Sequence, residues 1–314
     1  MMLAQDSAAL TPRRPGFAGP IPLVSIIIRT YNESKHLGAA LRAVGVQAMA
    51  GRPPVEVIVV DSGSTDGTRE IALAAGARVI GIDKSEFTFG RSLNRGCEAA
   101  RGEFLVFISG HCIPVEENWL EQMIAPFADP GIVMTYGRQV GAETTKFSEA
   151  RVYEKYYPNG PASQSEIFCN NANCAVRRSV WRRFRFDETL TGLEDMDLGR
   201  KVVDAGFHIA YSPGAPVIHI HDETWPQVRR RYEREAIALR RIAPEFHLSP
   251  IDAIGCFLTG VLQDMLAALK SPAAWGHMGS IVLYRFNQYL GSWLGGRPHR
   301  ELSRKEKLRY FYPV

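Results

Sequence analysis

The run Gly192-Leu193-Glu194-Asp195-Met196-Asp197-Leu198-Gly199-Arg200 places three carboxylates within four positions. A carboxylate held at a pocket edge can accept a proton from an attacking hydroxyl. If residues 197–205 form a helix, Leu198, Val202 and Ala205 make its buried stripe, and Glu194 and Asp195 stand at its amino end. Acidic residues also gather at helix starts for local reasons, because they complement the dipole and satisfy free N–H groups. The run therefore carries chemistry only if other reactive groups converge on it. The candidates are His111, in Ser109-Gly110-His111-Cys112, and the pair His219 and His221, in Val217-Ile218-His219-Ile220-His221. Of that pair, one is expected to face the site and the other to be structural.

The elements that position these groups follow from hydrophobic patterning. Short β-branched runs at 24–29, 55–61 and 78–82 alternate with helical stretches at 34–48, 67–75 and 91–101, and the unbroken apolar run 104–108 suits a strand covered on both faces. Such alternation predicts an α/β fold with a mostly parallel sheet, in which ligands sit beyond the carboxyl ends of the strands. The polar residues at those ends are Thr30, Tyr31, Asn32 and Glu33, then Asp61, Ser62 and Ser64, then Ser109. No G-x-G-x-x-G follows the first strand and no G-x-x-x-x-G-K-[ST] occurs, which removes the main support for a dinucleotide fold or a phosphate loop.

A chain of 314 residues with 46% hydrophobic and 22% charged residues has ordinary globular composition, and its formal charge of +4 does not call for a nucleic-acid partner. Its five cysteines are odd in number and form no C-x-x-C pair, which argues against a disulfide framework or zinc knuckle and fits a reducing cytoplasm.

Taken in order, these segments resemble family 2 glycosyltransferases. The likeness rests on 24–33 (VSIIIRTYNE), 59–68 (VVDSGSTDGT), Gly90-Arg91-Ser92-Leu93-Asn94, 102–107 (GEFLVF), the Glu194-Asp195-x-Asp197-Leu198 run and 217–221, and it spans about 22–242. Within the family it is nearest to bacterial rhamnosyltransferase-like members. The resemblance implies a GT-A fold and an inverting transfer from a nucleotide-sugar donor to a glycan or lipid-linked acceptor in cell-surface polysaccharide assembly. A non-catalytic sugar-nucleotide or glycan-binding module on the same fold is the alternative. Asp195 matches the family's base, Glu194, Asp197, Asn171 and Asn173 would meet the acceptor, and Arg91 and Asn94 join the strand-end residues on the donor side.

The family's acidic Asp-x-Asp motif is replaced here by Ser109-Gly110-His111. His111 and His219 then match a histidine ligand set seen in a related GT-A group, and imidazole ligands favour Mn²⁺ over Mg²⁺. In 225–231 (WPQVRRR), Gln227 and Arg230 match a Gln-x-x-Arg-Trp helix in which Arg231 stands for the Trp, placing an arginine for the pyrophosphate and arguing against processive synthesis.

Three regions are expected: a loose tail at 1–21, the GT-A domain at 22–242 and a helical extension at 243–314. The apolar stretch 251–269 is interrupted by Asp252, Gln263 and Asp264, so it is not expected to cross a bilayer. A helix at 281–294 gathers Val282, Phe286, Tyr289, Leu290 and Trp293 on one side and Arg285, Gln288 and Ser292 on the other. With the basic run 304–309 and the arginines of 229–241, that apolar side is expected to dock on anionic cytoplasmic lipid.

Overall fold

The computed structural model describes residues 23–47, 54–161, 167–245, 248–270, 272–298 and 310. The expected tail at 1–21 and the basic run 304–309 lie outside them. The chain opens with β1 (Val24–Thr30), α1 (Leu37–Gln47), β2 (Val55–Asp61), α2 (Thr68–Ala74), β3 (Arg78–Gly81), α3 (Phe89–Ala99) and β4 (Phe104–Ser109). It continues with β5 (Cys112–Pro114), α4 (Trp119–Ile124), β6 (Ile132–Gly141), α5 (Phe147–Tyr156), β7 (Asn173–Arg177), α6 (Arg178–Phe184), α7 (Glu194–Asp204) and β8 (His208–His219). Three long helices follow: α8 (Trp225–Ile242), α9 (Pro250–Leu269) and α10 (Met278–Gly296).

The sheet runs β3-β2-β1-β4-β7-β6-β8-β5. The first four strands are parallel, as the alternating pattern predicts. Beyond β4 the sheet becomes mixed: β7 is antiparallel to β4 and β6, β5 is antiparallel to β8, and β6 runs parallel to β8. Side chains of β1 alternate between two cores, with Ile27 packed on one face and Val24, Ile26 and Ile28 on the other. Burial on both faces explains the unbroken apolar run of β4.

The helix begins earlier than expected, so that Glu194 and Asp195 belong to the first turn of α7. Leu198 and Val202 are buried, but Ala205 caps the helix end in solvent, because the chain turns away there. A side chain at Gly199 would collide with the Ile167 carbonyl, so glycine is what lets α7 lie against the strand leading to β7. Glycine also sets the approach of α10 to α8: a Cβ at Gly291 or Gly295 would strike the backbone carbonyls of Arg229 or Glu233.

The expected faces of α10 are not those observed. Arg285, expected opposite the apolar side, is buried, and its guanidinium donates to both carboxylate oxygens of Asp264 on α9 at 2.8 and 3.0 Å. Its partner lies in another helix, which the helix's own periodicity cannot reveal. Phe286 is half exposed, whereas Tyr289 and Trp293 are partly covered, so the expected docking side is not one open surface. All five cysteines are free, with Cys97, Cys112, Cys169 and Cys174 buried and Cys256 partly buried.

Candidate active site

A cleft of about 1200 Å³ opens beyond the carboxyl ends of β1 and β4 and is closed by α5, α7, α8 and α10. That is ample for a small-molecule ligand, whose pockets commonly span about 300–1000 Å³.

Asp195 lines the cleft and is only 6% exposed. Its carboxylate accepts hydrogen bonds from the backbone N–H of Asn171 and of Met196, both at 2.8 Å. Burial, reinforced by the neighbouring charge of Glu194, pushes its pKa up to about 7 despite those N–H groups. A carboxylate so placed is half ionised near neutrality and basic enough to take a proton. Leu193, the N-cap two residues before it, has φ 54 and ψ 29, a left-handed conformation that costs a side chain about 1–2 kcal/mol. Glu194 pairs with Arg29 at 3.3 Å, and Arg29 and Arg234 both lie over the ring of Phe89, at 5.1 and 4.6 Å from its centroid.

Across the cleft His111, His219 and His221 come together, each offering a ligand atom within 4.8 Å of the others. The expectation that only one of His219 and His221 would face the site is wrong. Residues two apart along extended chain share a face, and β8 ends at His219, so both rings turn inward. Each ring is held through Nδ1: His111 to Glu33 at 2.6 Å, His219 to Gln139 at 2.6 Å and His221 to Glu149 at 2.8 Å. Glu33, Gln139 and Glu149 offer oxygens to Nδ1, so in the neutral form of each ring Nδ1 donates and Nε2 carries the lone pair that can ligate a metal. Burial, and then the proximity of His221 and His111, holds His219 well below its ordinary pKa and therefore neutral. The donor set fits a divalent transition ion, since imidazole is a ligand for first-row transition metals while Mg²⁺ prefers oxygen. A second grouping, Glu149, His221 and Glu223, is already neutralised by Arg231, which reaches Glu149 at 2.5 Å and Glu223 at 2.8 Å.

Of the donor-side candidates, Asn32, Glu33, Ser109 and Gln227 line the cleft. Thr30, Asp61, Ser62 and Ser64 do not: Asp61 is fully buried and accepts from Thr30 Oγ1 and from the N–H groups of Gly63 and Ser64, fastening the two strand ends together. Ser62 Oγ donates to the Thr30 carbonyl in the same knot. The hydroxyl of Tyr31 accepts from Lys84 at 2.7 Å, outside the cleft wall. Arg91 is spent on Glu188, and Asn94 clamps Phe186 and Trp181 inside the core. Arg230 is off the wall because the phase of α8 turns Gln227, Arg231 and Arg234 inward instead.

On the acceptor side Glu194 and Asn171 line the cleft, whereas Asp197 pairs with Lys201 at 2.6 Å and Asn173 binds the carbonyls of Arg138 and Ala215 in the core. Sequence reasoning missed the aromatic wall of Tyr153, Tyr156, Tyr157 and Phe168, and the cations Arg29 and Arg234. Tyrosines at 153, 156 and 157, the first two spaced by three on a helix, were the one signal available for it.

The profile described as Glycosyl transferase family 2 matches residues 25–190, more than half of the chain. The O-antigen chain rhamnosyltransferase WbaN of Salmonella anatum is 29% identical over 68% of this chain and 70% of its own. RfbN of Salmonella typhimurium, also an O-antigen chain rhamnosyltransferase, is 27% identical over 92% of this chain and 93% of its own. Among solved structures, the mannosyltransferase PcManGT of Pyrobaculum calidifontis, in complex with GDP-Man and Mn²⁺, superposes with TM-score 0.58 at 18% identity, covering 88% of this chain and 85% of that one. Glucosyl-3-phosphoglycerate synthase of Mycobacterium tuberculosis, with Mn²⁺, UDP-glucose and phosphoglyceric acid, gives TM-score 0.53 at 19% identity over 73% and 85%. With its mixed sheet, its cleft at the strand ends and this profile, the chain belongs to glycosyltransferase family 2 and has a GT-A-type fold.

Proposed function

We propose that this nucleotide-sugar glycosyltransferase is an inverting enzyme that moves a deoxyhexosyl group of the rhamnosyl kind onto a glycan or lipid-linked acceptor, in cell-surface polysaccharide assembly at the cytoplasmic face of the membrane. The observation that carries the reading is Asp195, a carboxylate on the cleft wall raised to about 7, in a cleft that also gathers the imidazoles of His111, His219 and His221. The acceptor O–H gives its proton to Asp195 as its oxygen forms the new bond to the anomeric carbon. The bond from that carbon to the diphosphate oxygen breaks, and the nucleoside diphosphate leaves with the electron pair. A single displacement of this kind inverts the anomeric centre.

His111, His219 and His221 would hold a divalent cation, Mn²⁺ in preference to Mg²⁺, which supplies positive charge against the departing diphosphate. Arg234 adds a fixed cation, since its Nε has no hydrogen-bond partner among the described residues. Asn32, Glu33, Ser109 and Gln227 serve the donor, Glu194 and Asn171 the acceptor, and the tyrosines offer flat apolar faces for sugar rings. The rhamnosyl assignment rests on the two Salmonella relatives. Residues 22–242 form the catalytic unit in this reading and 243–314 its helical extension.

The second reading, a binding module without turnover, is favoured by one observation, the Ser109-Gly110-His111 sequence where acidic metal ligands would stand. Nucleotide release from UDP-, GDP- and dTDP-sugars, with Mn²⁺, with Mg²⁺ and with chelator, tests both. Release from one donor, dependent on Mn²⁺, is expected. Donor binding without release under any condition overturns the enzyme reading.

A further inference from the structure

The helix α9 carries an apolar stripe that nothing among the described residues covers. Ile251, Ile254, Leu258, Leu262, Leu266 and Leu269 recur every three or four residues, and each is more than half exposed. Its inner side, Ala253, Gly260, Asp264 and Ala268, packs on α10. Between Asp252 and Lys270 every exposed position of this 20-residue helix is uncharged, a stretch of about 25 Å. The stripe extends onto Trp275, 57% exposed, and onto Leu283 and Phe286 of α10. An uncovered face of this size on a water-soluble molecule marks a contact surface.

Two features define the occupant. Positive charge stands at the helix ends, with Lys270 capping α9 and Arg297 capping α10, both exposed, and in sequence alone the stretch 297–309 holds six Arg or Lys against two Glu. Aliphatic side chains edged by a tryptophan and by cations match the layering of a lipid surface. The helix is also long and apolar enough to cross a bilayer by length and composition. Crossing would, however, pull Asp264 from the guanidinium of Arg285, and α10 is itself locked on α8 through Gly291 and Gly295. The tie between the helices therefore keeps α9 lying flat.

We propose that the outer face of α9 docks in the plane of an anionic membrane surface. Because α10 lies between α9 and the cleft, to which it contributes Gln288, Ser292 and Gly296, docking sets the cleft beside the lipid. The inference rests on the reading above only for the lipid-linked acceptor, and its test needs no turnover.

Flotation of the full chain is measured with vesicles of phosphatidylcholine containing phosphatidylglycerol and with vesicles of phosphatidylcholine alone. Wild type is expected to float with the anionic vesicles, and Leu258→Glu with Leu262→Glu to reduce the floating fraction at least tenfold. Both replaced residues face solvent, and an unchanged melting temperature and donor binding verify the fold. Wild type that stays at the bottom, or a variant that floats equally, overturns the proposal. A reversible dimer in sedimentation velocity that is lost in the variant, with no flotation, assigns the face to a second copy and also overturns it. Resistance to carbonate extraction overturns it in favour of a spanning helix. Nucleotide release with a soluble acceptor is followed in parallel, so that failure of catalysis and failure of docking are read separately.

Discussion

The two walls of the cleft are tuned by the same force in opposite senses. Burial raises Asp195 to about 7 and lowers His219 well below its ordinary value, because a dry environment penalises whichever form is charged. On the α7 wall the result is a carboxylate that wants a proton. On the β8 wall it is an imidazole that refuses one. A single cleft can thus keep a base and a neutral imidazole at the same pH without a special device for each.

The α7 wall is broken most directly by Asp195→Asn. Turnover should fall at least about a hundredfold with donor binding unchanged, the usual scale for a general base. Steady-state kinetics beside donor thermal shifts check it, and a loss of about threefold or less would move the base elsewhere. In wild type the acid limb of the rate should follow the same group, with activity falling as pH drops through about 7 because Asp195 must be ionised to accept a proton.

On the β8 wall, His111→Ala, His219→Ala and His221→Ala should each raise the Mn²⁺ concentration required by about 10–100-fold. Metal titrations of activity and of Mn²⁺ binding by calorimetry measure it. Equal sensitivity at His219 and His221 would sharpen the three-imidazole assignment, while an unaffected His221→Ala would return the site to two ligands.

The α7 wall should also declare itself in stability. A carboxyl whose pKa is higher folded than unfolded binds more protons when folded, so its contribution is full below about 4 and is lost as pH rises through about 7. Asp195→Asn should therefore be more stable than wild type above neutrality, by about 1–3 kcal/mol, with the gap narrowing in acid. Denaturant unfolding at pH 5 and pH 8.5 decides, and a pH-independent difference would contradict it. The smallest effect is expected at Leu193→Gly, which relieves a left-handed side chain and should stabilise by up to about 1 kcal/mol.

Why one wall was easier to read than the other lies in which interactions are local. The segments β1 to β4 follow from periodicity, and Val55–Asp61 is bounded as expected because its β-branched run ends at a turn-forming Asp-Ser-Gly. The placing of His221 beside His219 is also local, because residues i and i+2 of extended chain share a face. Asn94 is held by Phe186 and Trp181, 92 and 87 positions away, and Asp61 by Thr30 as well as by its own turn, so neither polar head is free for a ligand. Likewise α8 gives three consecutive arginines, and only its packing on α10 decides that Arg231 faces the cleft and Arg230 does not. Arg285 lies beyond sequence reasoning for the same reason, because Asp264 is 21 positions away on another helix.

The placement of the cysteines gives the molecule a built-in reporter. Thiol reagents act on accessible sulfur, and four of the five thiols are sealed in the core, so the folded protein should offer a maleimide a single reaction point, Cys256. That residue lies on α9. A fluorophore installed there, with no cysteine removed elsewhere, would change colour as its surroundings dry, and the helix whose outer face no described residue covers could be watched directly as it finds a partner.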